Sequence, residues 1–177
     1  MDFFDLIKLR QSTRSYKNKP VEKEKILQCI ESARLSPSAN NSQPWKFIVV
    51  EEAELREKVA SNIAWMGMNK FAPQAPVIVA IVLEKGKFIS SFASVLQNKE
   101  YPLIDIGIVA NQFCLQASDL GLATCMVGWF NERKIKKLLG IPKKKRIPLI
   151  ITLGYSEAPT RDKIRKPIEE MHTWNNY

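Results

Sequence analysis

The 177-residue chain predicts a single-domain α+β fold, and three observations lead there. Short apolar runs over residues 45–50, 76–83 and 147–153 read as strands, and the unbroken run 76–83 belongs in a sheet covered on both faces. Segments with apolar positions every three to four residues, 21–35 above all, read as helices set between those strands. The length suits one domain with a core, spanning 1–177, and is short for two.

Taken in chain order, Asp2 opens a short helix carrying Phe3, Phe4, Leu6, Ile7 and Leu9. Residues 11–20 are polar and break that period. Residues 21–35 put Ile26, Ile30 and Ala33 on one face with charges opposite. This helix stops before Ser36-Pro37, because proline pushes its predecessor out of helical angles. Residues 45–50 are rich in β-branched side chains, and 53–63 form a charged surface helix.

Residues 104–120 are apolar nearly all round, with Ile104, Ile106, Ile108, Val109, Phe113, Cys114, Leu115 and Leu120. Such a helix is central in its fold or buried between subunits. Gly121 suits the helix stop and 124–127 a short strand. Asn131 caps a basic helix that ends at Gly140. Residues 167–171 predict a last helical turn. The tail, with Trp174 and Tyr177, would leave two aromatics exposed on a monomer, so it is expected to wrap a partner subunit.

Composition removes several classes of function. His172 is the one histidine, so no metal site of several histidines exists within a chain, and Ser-His-Asp or Cys-His catalysis is disfavoured. Cys29, Cys114 and Cys125 lie in apolar sequence without C-x-x-C spacing; they read as reduced, buried thiols, which suits the cytoplasm. No basic stretch followed by an apolar run stands at the start, so no leader is expected. The longest apolar run, 75–83, is about half of a membrane-spanning helix, so no membrane segment is expected. Seven glycines form neither G-x-G-x-x-G, nor a P-loop, nor a nucleophile elbow. The formal net charge of +9 is concentrated in 132–146 and 161–166, and the remainder is close to neutral.

Four constellations remain that suit ligand chemistry. Arg10-Gln11-Ser12-Thr13-Arg14 sets two guanidinium forks around hydroxyls, a donor set that suits a phosphate. Pro37-Ser38-Ala39-Asn40-Asn41-Ser42-Gln43-Pro44 is a loop stiffened by proline at both ends and lined with amides and hydroxyls. In Gly121-Leu122-Ala123-Thr124-Cys125-Met126-Val127-Gly128-Trp129, Gly128 lets a ligand approach the main chain. Met126 and Trp129 there are large enough to wall a flat ring. Lys163-Ile164-Arg165-Lys166-Pro167 alternates cations that can converge on one anion.

The order and spacing of these motifs resemble the nitroreductase family of FMN-dependent oxidoreductases. The resemblance runs over nearly the whole chain. It is strongest in Arg10-x-Ser12-x-Arg14, Pro37-Ser38-Ala39-x-Asn41-x-Gln43-Pro44-Trp45, Gly121-Leu122-x-Thr124-Cys125, and Leu153-Gly154-Tyr155 followed by Arg165-Lys166-Pro167. It implies a three-layer α/β/α sandwich around a central, mostly antiparallel sheet, assembled as an intertwined homodimer with flavin sites at the subunit interface.

It also implies a cofactor set. Arg10, Gln11 and Ser12 would hold the phosphate end of FMN, with Lys163 and Arg165 completing the cradle. Arg14 would reach the pyrimidine edge, where a fixed cation stabilises charge that gathers as hydride arrives. Pro37, Ser38, Ala39 and Asn41 would serve the neighbouring subunit's site. Met126, Val127 and Gly128 match the stretch whose amides meet flavin N5 and O4. The implied reaction carries hydride from NAD(P)H through N5 to small electron-poor acceptors such as nitroaromatics and quinones, by a ping-pong route needing no catalytic side chain.

The chain departs from the family's pattern at Ala123, where glycine is frequent, and at Met126, where tryptophan is frequent. The bulk of Trp129 and the short stretch 84–102 bear on the acceptor pocket. A specialised flavin reaction, reductive dehalogenation or azoline oxidation, is the alternative within the fold. A basic protein binding nucleic acid through 134–146 is the alternative outside it. A solvated face is the plain reading of that surface, with steering of anionic NAD(P)H beside it.

Overall fold

The computed structural model describes residues 2–84 and 99–177. Residues 85–98, most of the short stretch singled out above, lie outside the described residues. A four-stranded sheet forms the centre in the order β1-β2-β4-β3. Its strands are β1 (Trp45–Val50), β2 (Val77–Leu83), β3 (Ala123–Val127) and β4 (Arg146–Gly154). All three pairings are antiparallel, with Val50 opposite Ile78, Val77 opposite Leu153, and Ala123 opposite Gly154. One isolated parallel bridge, Ser12 to Thr124, adds the polar segment after the first helix to the outer edge of β3.

Helices α1 (Phe3–Leu9), α2 (Lys23–Arg34), α3 (Ala53–Ile63), α4 (Tyr101–Asp119) and α5 (Glu132–Leu138) surround the sheet. Successive side chains of a strand point to opposite faces. Val77, Val79 and Ile81 of β2 therefore join Ile151 and Leu153 in one core with α2 and α4. Ile78, Ala80 and Val82 join Ile150 in a second core with α3 and α5. The unbroken apolar run of β2 thus follows from helical layers on both faces. Phe113 of α4 is wholly buried and stacks on Phe47, ring centroids 6.0 Å apart. Truncating such a ring costs about 3–5 kcal/mol.

The helix ends form as their residues dictate. The Asp2 carboxylate accepts the Phe4 N–H at 2.9 Å, and the Asn131 side chain accepts the Lys134 N–H at 3.2 Å. Gly121 adopts φ +72° just past α4, a conformation that glycine takes without strain. The expected last turn is a short 3₁₀ turn, Ile168–Glu170. Gly154 is demanded by packing, since a Cβ there would lie 2.5 Å from Pro76 Cδ and 3.1 Å from Tyr16 Cδ1. All three cysteines are free and buried. Among the described residues no helix is long and apolar enough to cross a membrane.

Not every apolar face is covered. No residue of α1 is buried, and Phe3 and Phe4 are exposed, as are Ile104 and Ile108 on the outer side of α4. Ile164, Ile168, Met171 and Trp174 of the C-terminal segment are exposed as well.

Candidate functional site

The first cation motif and the C-terminal segment lie against each other. The Lys163 ammonium donates to the Arg10 carbonyl at 2.6 Å. The Gln11 side chain donates to the Pro159 carbonyl at 3.0 Å and accepts the Arg161 N–H at 3.1 Å. Arg161 Nη2 donates to the Ser12 carbonyl at 2.8 Å. Gln11 therefore acts as a clasp between two distant segments, a role that its place in the motif did not disclose.

Beside these bonds lies an open, shallow cavity of about 370 Å³ lined by Arg10, Gln11, Ser12, Arg161, Lys163 and Arg165, with Asp162 and Ile164 completing the wall. Four cations share that space with one carboxylate. Partial burial, and then the charges of Arg10, Arg165 and Arg161, hold the Lys163 ammonium below its ordinary pKa. Repulsion of this kind persists because the fold holds the cations together, and an anion between them relieves it. Arg161 was missed among the candidate residues. The signal was present in the basic run 161–166, which entered the sequence reading only as charge.

The second part of the site runs along β3. The Thr13 N–H donates to the Thr124 carbonyl at 2.8 Å, so the residues after it travel beside the strand toward Met126. The buried thiol of Cys125 records the convergence: burial raises its pKa, while Arg14, a bond with Ser12, Arg161 and Arg10 oppose the rise. Tyr16 anchors the segment. Its hydroxyl lies 2.7 Å from the Thr152 hydroxyl and 3.0 Å from the Thr13 carbonyl. Desolvation pushes that phenol well above its usual range, so it stays neutral. The exposed Arg14 guanidinium sits 5.9 Å over the ring of Phe71, a second residue that sequence reasoning did not single out.

At the end of β3, Met126 is half-buried, Val127 is buried and Gly128 is exposed. Gly128 has an ordinary φ, and a Cβ there would meet nothing within 4 Å. Packing among the described residues thus gives no reason for glycine at this position, whereas a flat ligand against the main chain does. Trp129 follows, with its ring on Trp65 at 6.0 Å and 18° and its carbonyl held by Asn69 Nδ2 at 2.8 Å.

Pro37, Ser38, Ala39 and Asn41 are placed elsewhere. The Ala39 N–H donates to both oxygens of Asp105 at 3.1 and 3.3 Å, near the start of α4. Gln11, by contrast, lines a small cavity with Ser118, near the end of α4. At about 1.5 Å per residue the interval from Asp105 to Ser118 is roughly 20 Å of helix axis. One chain therefore lines a cavity with Arg10, Gln11, Ser12, Lys163 and Arg165, sets the segment that carries Arg14 beside the strand leading into Met126, Val127 and Gly128, and holds the proline loop near the start of α4.

That loop is nevertheless built to a fixed shape. Asn40, Asn41 and Gln43 have φ of 53°, 51° and 46°, the left-handed region that side chains other than glycine seldom occupy. Ser38 Oγ accepts the Gln43 N–H at 3.0 Å. The buried hydroxyls of Ser36 and Ser42 have no hydrogen-bond partner among the described residues. Asp105 is a near-fully buried carboxylate, raised in pKa by desolvation against the pull of the Ala39 N–H. A buried carboxylate needs such donors, and the Ala39 N–H supplies one.

Comparison with known proteins places these features in a family. Residues 7–155 match the model of the nitroreductase family. A Streptococcus pyogenes protein with a provisional NAD(P)H nitroreductase name is 31% identical, with 97% of this chain and 98% of that one covered. An oxygen-insensitive NADPH nitroreductase of Helicobacter pylori is 29% identical over 81% of this chain and 82% of its own. Among solved structures, a nitroreductase family protein from Clostridium novyi NT superposes with a TM-score of 0.74 at 30% identity, covering 88% of this chain and 86% of the other. An FMN-dependent nitroreductase from Clostridium difficile R20291 superposes with a TM-score of 0.80 at 26% identity, covering 99% and 100%.

Proposed function

Because the chain belongs to the nitroreductase family and is an NAD(P)H oxidoreductase of that type, we propose that it binds FMN and reduces small, flat, electron-poor acceptors such as nitroaromatics and quinones. The cavity between Arg10, Arg161, Lys163 and Arg165 carries this reading, since its surplus of positive charge calls for a dianion such as a ribityl phosphate. The open backbone at Gly128 agrees with it.

FMN held by these residues would supply hydride-transfer chemistry between NAD(P)H and the acceptor, in a ping-pong cycle. The chain's own residues do the rest. The four cations hold the phosphate, and Gln11 keeps the two segments that carry them together. Arg14, seated on Phe71, presents a permanent charge to the ring edge where negative charge gathers during reduction. The main-chain N–H at Gly128, just past β3, offers a donor that no pH change removes. No titratable side chain is required, which agrees with a chain that holds one exposed histidine.

The proline loop enters through a second subunit. Held by Asp105 near the start of α4, some 20 Å of helix axis from Ser118, it completes a site only where a partner brings it across, and the exposed apolar faces of α1, α4 and the C-terminal segment are the surfaces for that pairing. An FMN site shared within a homodimer follows.

Titration of apo-protein with FMN tests the cradle. Arg10→Ala and Arg165→Ala are each expected to weaken FMN binding at least about tenfold, the loss of one charge-assisted hydrogen bond or more. Wild-type affinity in both variants overturns the phosphate assignment.

A further inference from the structure

Trp65 and Trp129 form a parallel aromatic stack, 6.0 Å between centroids and 18° between planes, and yet stay 41% and 55% exposed. Exposed tryptophan surface is costly to leave in water, and Met66 and Met68, which follow Trp65 in the chain, are exposed as well.

The stack is rigidly built. Met66 and Gly67 both take left-handed φ, 54° and 77°, to make the tight turn that presents Trp65. Asn69 Nδ2 holds the Trp129 carbonyl, and the Asn131 N–H donates to the Asn62 carbonyl at 2.9 Å, so both strands of chain that bear the rings are tied together. The stack is also continuous with the site. Trp129 directly follows Gly128, and two residues beyond Asn69 the ring of Phe71 carries Arg14. Segment 65–71 therefore joins the aromatic stack to the residue assigned to the flavin's pyrimidine edge.

We infer that Trp65 and Trp129 form a docking step for the acceptor: a planar, electron-poor aromatic ring that slides from this stack onto the open face beside Gly128. The inference rests on the flavin reading above and names the substrate class of that same site. An electron-rich indole face attracts an electron-deficient ring by stacking. The step adds no bond change to the reaction. It selects by shape, so flat nitroarenes gain from it and an inorganic complex ion without a ring does not.

The test uses the flavin-loaded protein and Trp65→Ala, Trp129→Ala and the double variant, all at exposed positions. With no reductant present, 4-nitrobenzamide is titrated against the oxidised protein while tryptophan fluorescence and the flavin absorption band are followed. Steady-state KM values with NAD(P)H are then compared for 4-nitrobenzamide and ferricyanide. Each single variant is expected to weaken nitroarene binding and to raise the nitroarene-to-ferricyanide KM ratio about tenfold, and the double variant further. A ratio unchanged in the double variant, with flavin retained, overturns the docking step alone. A native chain that takes up no flavin overturns the cofactor reading together with it. A double variant that turns a dimer into monomers marks the stack as a subunit contact and overturns the docking role.

Discussion

The Nζ atom of Lys163 lies 2.6 Å from the backbone carbonyl oxygen of Arg10, joining two positions 153 residues apart in the chain. Through this bond a helix end near the start of the protein and an extended segment near its end become one cationic wall. Nothing in either segment alone forms it.

Lys163 gives a pH prediction. Partial burial and three neighbouring guanidinium groups depress its pKa, so the folded state releases this proton more readily than the unfolded one. For the apo-protein its contribution to stability therefore rises with pH across the interval between the depressed and the ordinary value. Phosphate binding runs the other way, because it requires the charged form. Titration of apo-protein with FMN from neutral to alkaline pH is expected to show affinity falling on the alkaline side, and Lys163→Met to be weaker throughout and flat there.

Gly128 separates folding from cofactor binding. With ordinary φ and open space around a Cβ, Gly128→Ala is expected to leave stability unchanged or raise it by about 0.4–1 kcal/mol. The methyl group occupies the approach to the main chain, so FMN affinity is expected to drop several-fold. Urea unfolding and flavin titration on one preparation check both halves.

Asp105 tests the proline loop. In Asp105→Ala the Ala39 N–H loses its acceptor, which costs about 1–3 kcal/mol, and flavin uptake is expected to fall although Asp105 does not line the cradle. Asp105→Asn keeps an acceptor oxygen. Desolvation raises the native carboxyl's pKa, so the folded state holds that proton more tightly. Its contribution to stability then declines as pH rises from the unfolded to the native value. Denaturation curves across acidic pH are expected to lose this component in Asp105→Asn.

The uncovered faces predict assembly. Phe4 is 69% exposed and Ile104 55%, so glutamate at either position leaves the single-chain fold unperturbed. Phe4→Glu and Ile104→Glu are expected to shift the protein from dimer to monomer in light scattering, with unchanged circular dichroism and loss of bound flavin. A wild-type monomer that retains FMN would exclude the shared site.

Much of the fold was legible because it is written in local patterns. The caps at Asp2 and Asn131, the stop before Pro37 and the apolar run of β2 depend on residues within a few positions of each other, and each forms where the sequence places it. The boundaries moved only slightly, as at α4, which starts at Tyr101 rather than at 104. Arg10, Ser12, Lys163 and Arg165 stand out by residue type as donors suited to an anion, and the structure lines one cavity with them. The roles of Arg161, Phe71 and Asp105 were not legible, because they consist of contacts with segments far away in sequence.

What the sequence determined by itself was which segments are helix and which are strand, and which residue types suit an anion. The tertiary structure alone decided that β4 enters between β2 and β3, that Gln11 clasps the C-terminal segment, and that the proline loop stands near the start of α4. The reason is physical: local periodicity and capping are settled within a turn or two of backbone, whereas pairings across more than a hundred residues are selected by how two apolar cores close over both faces of one sheet.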